Sequence, residues 1–146
     1  MSKFLVLTSA LLLILSCTSA QTTEPQFYDL YKEYRTKANA GNLDTLLPAY
    51  FTKALLSKGD LTDQFQRSFF LFENSLAQET SHFEVVKSGV GCLTVNGYDT
   101  ANRPVVFSLE YVSSNEAWLI NEMHVIYSED QPMTKAICPD EYGALD

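Results

Sequence analysis

Glu122 and His124 stand two residues apart in the run from Trp118 to Ile126, where strand alternation puts them on one face with Trp118, Ile120 and Ile126. On such a face a carboxylate and an imidazole sit about 7 Å apart along the strand. Enclosed in a pocket, the carboxylate would orient the ring and raise its basicity. That is the chemistry of a general base for proton abstraction or hydration, with His124 as base, Glu122 as orienting partner and a tyrosine as acid. The plainer reading of the same residues is a rim histidine bonded to a backbone carbonyl beside a solvated glutamate. Tyrosines form the second group. Tyr31, Tyr50 and Tyr111 are the ones expected to reach a common cavity, lined also by Trp118 and Ile120, where their hydroxyls would grip a polar ligand or stabilise an oxyanion. Packing with the hydroxyls at the surface is the simpler alternative.

Three cysteines complete the reactive inventory. Cys17 follows an apolar run and one small residue, and its removal or acylation leaves Cys92 and Cys138 as an even pair expected to bridge in an oxidising compartment and so pin the C-terminal tail to a strand. No metal site is expected, since neither His82 nor His124 stands at zinc-ligand spacing from either cysteine. Gly89-Val90-Gly91 does not lead into a helix, so it is neither a dinucleotide nor a phosphate loop, and no H-E-x-x-H or G-x-S-x-G occurs. An enzyme built from this chain would therefore work by acid–base chemistry without a tightly bound cofactor.

The first twenty residues have the layout of an export signal. Lys3 precedes a mostly apolar run from Phe4 to Leu15, and small residues follow to Ala20. The run is shorter than the roughly 20 residues a spanning helix needs. Two cleavage chemistries remain open: Thr18-Ser19-Ala20 suits an ordinary signal peptidase cutting near 20/21. Ile14-Leu15-Ser16-Cys17 resembles a bacterial lipoprotein signal cut near 16/17, with Cys17 lipidated. The expected destination is the periplasm, or an outer-membrane anchorage through the lipid. Residues 21–26 read as a tether and residues 27–146 as one domain. The formal charge of −8 and the absence of a Lys/Arg cluster argue against nucleic acid as a partner.

Helical periodicity fills the first half of that domain and strand periodicity the second. Phe27, Leu30, Tyr31, Tyr34 and Ala38 keep the spacing of an amphipathic helix with Arg35 on its water side, and Gly41 is the expected left-handed terminator. Leu43 to Leu55 predicts a second helix interrupted at Pro48, and Leu61, Phe65, Phe69, Phe72 and Leu76 predict the core stripe of a third, capped by Asp60. Strands are expected near 82–87, 92–98, 105–112 and 117–128, joined by short breaks that favour an antiparallel meander. The fold class is α+β.

Two stretches carry a family resemblance: Ala38-Asn39-Ala40-Gly41-Asn42-Leu43-Asp44-Thr45-Leu46-Leu47 and Ala117-Trp118-Leu119-Ile120-Asn121-Glu122-Met123-His124. With the order of elements, they make the chain after about residue 26 resemble the NTF2-like superfamily, small exported members included. The resemblance implies a cystatin-like cone, with three N-terminal helices packed on a curved antiparallel sheet around a pocket. Its outer sheet face would often pair with a second copy, and Leu119, Met123, Val125 and Tyr127 would then form an apolar homodimer patch. The leading expectation is a non-enzymatic cell-envelope protein that binds a small apolar ligand or a protein partner through its pocket or sheet face. A cofactor-independent lyase or isomerase using Glu122 and His124 is the second. An immunity-type inhibitor acting through the acidic surface is the third.

Overall fold

The computed structural model describes residues 26–115, 117–127 and 132–144. The export signal, Cys17 and the tether up to residue 25 lie outside the described residues. The chain folds as α+β, with α1 (Phe27–Lys37), α2 (Leu43–Tyr50), α3 (Lys53–Leu56), α4 (Gln64–Ser68) and α5 (Phe72–Ser75) preceding four strands. These are β1 (Gln78–Lys87), β2 (Val90–Tyr98), β3 (Pro104–Ser114) and β4 (Ala117–Tyr127), followed by a 3-10 turn over Pro139–Ala144. They form one antiparallel meander in the order β1-β2-β3-β4. No described helix is long and apolar enough to cross a membrane.

Five short helices stand where three were expected, and each difference has a local cause. α1 ends without a left-handed glycine: the Asn42 amide donates to the Lys37 carbonyl, and its Oδ1 accepts from the Asn39 N–H. Pro48 stays inside α2, and the break comes later, where Phe51 turns extended and pairs with Ile120 of β4. Thr52 then caps α3, accepting from the Leu55 N–H at 3.1 Å. The expected third helix is two separate pieces. Asp63, not Asp60, caps α4, and the backbone leaves helical geometry at Leu71 before α5 begins. The interruption splits the apolar stripe. Phe72 and Leu76 enter the core as expected, joined by Phe70, while Phe65 is 70% and Phe69 42% exposed.

β2 is the centre of the molecule, with seven of its nine residues buried, because both sheet faces are covered. Leu93, Val95, Val105, Phe107, Leu109 and Tyr111 meet the helices. The opposite face, with Cys92, Thr94, Asn96 and Ser108, lies under the C-terminal tail. The β1–β2 turn takes Ser88 and Gly89 at positive φ, the conformation a two-residue hairpin demands. At Gly91 a Cβ would run into the Phe27 ring, so the missing side chain lets Phe27 lie against the sheet. Gly91→Ala therefore displaces an aromatic anchor of α1. A loss of about 2 kcal/mol is expected in urea unfolding, and an unchanged midpoint would show that Phe27 moves freely.

Asp99 closes the β2–β3 turn. Its Oδ1 accepts from the N–H groups of Ala101 and Arg103, at 2.9 and 2.8 Å, and Oδ2 accepts from the Arg103 guanidinium. The Arg103 backbone bond is the largest of the effects that hold its carboxyl below the ordinary aspartate value. A group with a lowered folded pKa stabilises the fold fully above its unfolded pKa of about 3.9, and the benefit disappears as pH falls through the folded value. Wild type is thus expected to lose stability below about pH 4 more steeply than Asp99→Asn. Parallel acid-unfolding curves for the two would refute the assignment.

Candidate functional site

The geometry of the Glu122–His124 pair is decided by a β-bulge. Glu110 pairs with Glu122 and Tyr111 with Ile120, so Asn121 is the extra residue of β4. An inserted residue reverses the alternation beyond it. Trp118 and Ile120 face the helices, with Phe27 edge-on to Trp118 at 5.1 Å. Beyond the bulge Met123 and Val125 face the helices instead. Glu122, His124 and Ile126, paired with Glu110, Ser108 and Val106, turn to the opposite face. Asn121 itself is held by Glu110 at 2.8 Å and by the Thr52 hydroxyl at 3.0 Å. The expected shared face of Glu122, His124, Trp118 and Ile120 does not exist, and the proposed dimer patch is divided in the same way.

On its own face the pair is open. Glu122 Oε1 and His124 Nε2 are 3.8 Å apart, with the side chains 29% and 43% exposed, and the other carboxylate oxygen pairs with the Lys58 ammonium. The nearest aromatic neighbour of His124 is Tyr142, at 6.2 Å between rings. A carboxylate shared with a lysine and a ring in water lack the enclosure that acid–base catalysis requires.

The three chosen tyrosines do not converge either. Tyr31 donates to Glu79 at 3.1 Å and accepts from Arg35 at 3.2 Å, and burial pushes its phenol well above the usual range. Tyr111 reaches the Phe27 carbonyl at 3.4 Å, and burial raises its phenol too. Tyr50 lies outside the core, donating to Glu33 at 2.8 Å and accepting from Lys37 at 3.1 Å. The space between helices and sheet is occupied by rings in mutual contact. Phe27 stacks on Tyr111 at 4.9 Å, Tyr31 on Phe72 at 5.6 Å, and Phe72 meets Phe107 at 4.7 Å. Tyr34, expected on the apolar stripe of the first helix, is fully buried against Phe51 and Phe72 and donates to the Phe70 carbonyl at 2.8 Å.

Two polar constellations emerge that the sequence did not suggest. The first joins α1 to β1. Glu79 accepts from Tyr28 at 2.6 Å, from Tyr31 and from the Arg35 guanidinium, which also donates to the Leu76 carbonyl at 2.9 Å. His82 stacks flat on Tyr28 at 3.6 Å, and Glu84 accepts the Tyr28 N–H at 3.0 Å. Helix periodicity assigned Arg35 to water; the signal that could have found it is its place one turn after Tyr31.

The second constellation lies beneath the tail. Asn96 donates to the Met133 carbonyl at 2.8 Å and accepts its N–H at 2.9 Å, while Thr94 accepts from the Ile137 N–H at 2.9 Å. Beside them Cys92 and Cys138 form the expected disulfide, with Cα atoms 5.0 Å apart. Among the described residues no three His, Cys, Asp or Glu side chains cluster as a metal site.

Compared with family models, with curated proteins and with solved structures, the chain matches none.

Proposed function

We propose that this chain is an exported cell-envelope binding protein of NTF2-like architecture that engages a protein partner through its surface, without catalysis. The observation that carries the reading is a pair of aromatic side chains left in water. Phe65 on α4 and Phe69 at its C-cap lie one turn apart, edge to face at 4.8 Å, and no residue of that helix is buried. Exposed large apolar side chains that adjoin one another mark interaction surfaces, and aromatic side chains are enriched at the centres of protein interfaces. Export is supported by the bonded Cys92–Cys138 pair, since disulfides persist in oxidising compartments. The filled interior favours a protein partner over a small apolar ligand held inside. Lipidation of Cys17 would place this surface at a membrane.

A photo-crosslinking residue at position 65, introduced in cells of the native host, is expected to yield one discrete adduct that is lost in Phe69→Ser. The same residue at the exposed Lys32 of α1 is expected to yield none. Phe65→Ser and Phe69→Ser should keep the wild-type thermal midpoint. No adduct at 65, or equal adducts at both positions, would refute the reading. Intact mass of the protein from membrane and soluble fractions tests the location: a diacylated or triacylated Cys17 means anchorage, and a mature start at Gln21 means release.

A further inference from the structure

Three fully buried polar side chains, Thr94, Asn96 and Ser108, occupy the middle of the tail-covered sheet face. They bind main chain. Asn96 meets both the N–H and the C=O of Met133, Thr94 meets both of Ile137, at 2.9 and 3.2 Å, and Ser108 donates to the Ile137 carbonyl at 2.6 Å. A buried hydroxyl or amide without a partner costs about 1–3 kcal/mol. Asn96 also donates to the Ser81 hydroxyl at 2.9 Å, but its carbonyl oxygen and the Thr94 and Ser108 hydroxyls are paired by the peptide main chain that lies over them. The tail's fit is particular: Met133 and Ile137 are four residues apart, yet they meet side chains only two apart on β2. Between them the chain bends at Thr134 and Lys135, which brings Ala136 and Ile137 down into burial and Cys138 onto Cys92. An arbitrary extended peptide does not carry that spacing. A second tail of the same sequence does.

We propose that this face is a seat for a peptide main chain, filled in cis by residues 132–144, and that the tail of a second copy takes it in trans, Cys92 of one copy bonding Cys138 of the other. Each contact just described can be made by either tail, so exchange creates no new interface and keeps every one of these hydrogen bonds. The chemistry balances. A small thiolate opens one Cys92–Cys138 bond, leaving one cysteine in a mixed disulfide and the other as a thiolate. That thiolate attacks the disulfide of the second copy, and the last free thiolate expels the initiator. Two intrachain bonds become two interchain bonds with no net oxidation. The balance between cis and trans follows the effective concentration of the tethered tail, of millimolar order.

The test uses the full chain with Cys17→Ser, as a mixture of light and isotopically heavy copies with a catalytic amount of reduced glutathione. At about 1 mM protein a covalent dimer is expected in which heavy Cys92 peptides are bonded to light Cys138 peptides; at about 10 μM only cis bonds are expected. A synthetic peptide of residues 132–144, added in excess, should divert Cys92 into a chain–peptide adduct at least tenfold more than a scrambled peptide of the same composition. Absence of heavy–light Cys92–Cys138 pairs at about 1 mM overturns the proposal. So does equal capture of the scrambled peptide, which would mark a receptor for unrelated segments. Because Cys92 and Cys138 are retained throughout, no outcome depends on a destabilised variant.

Discussion

Replacing Cys92 and Cys138 together by alanine is expected to lower the thermal midpoint by about 15 °C. The bond spans 46 residues of sequence, and closing a loop of that length restricts the unfolded chain by about 4 kcal/mol in the chain-entropy account. For a domain of this size each kcal/mol corresponds to roughly 4 °C. The loss reaches further than the bond, because the tail held by Cys138 covers Thr94, Asn96 and Ser108, which face water when it lifts. Hydrogen exchange should accordingly show the Ile137 amide unprotected in the variant while the helix-facing strand amides remain protected. A drop of less than about 5 °C would mean that the main-chain clamp alone holds the tail, and that the bond contributes little.

Glu79→Ala is the second large effect, at about 2–3 kcal/mol. One carboxylate accepts from Tyr28, Tyr31 and Arg35, and its removal strands a guanidinium and a phenol at the α1–β1 seam. The Glu79 and Arg35 side chains are 16% and 21% exposed, so the cost falls below that of breaking a fully buried pair. Glu79→Gln should recover part of the loss by keeping an acceptor for the tyrosines. The double variant Arg35→Met/Glu79→Leu should be more stable than Glu79→Ala, since no unpaired charge remains. If Glu79→Ala melts within about 1 °C of wild type, α1 is held by its aromatic face alone and the ion network is ornamental to stability.

These two sites differ in how visible they were in advance. The disulfide could be read from a parity argument, since setting Cys17 aside left one pair. The seam could not. Periodicity separates the apolar stripe of α1 from its polar side but does not say what the polar side meets, and β1 turns Glu79, His82 and Glu84 toward the helix. The Phe65–Phe69 error has the same form. A regular stripe was read through residues 61–76, whereas the backbone breaks at Leu71: Phe72 and Leu76 are buried as expected, Phe70 joins them, and Phe65 and Phe69 are left exposed. Asn121 is the sharpest case. Its neighbours alternate faultlessly in sequence, but the extra residue exists only relative to Glu110 and Tyr111 on β3.

What the sequence determined by itself is therefore the local part: α1, the four-strand meander, the hairpin turn at Ser88-Gly89, the cysteine pairing and the α+β class. Each rests on periodicity, turn chemistry or counting, which neighbouring residues express without reference to the rest of the chain. The tertiary structure alone decided which face Glu122 and His124 occupy, that the interior is filled with rings, and how the tail lies over Thr94, Asn96 and Ser108. Those outcomes depend on pairing register and on packing between segments far apart in sequence, where one inserted residue moves a side chain from one side of the sheet to the other.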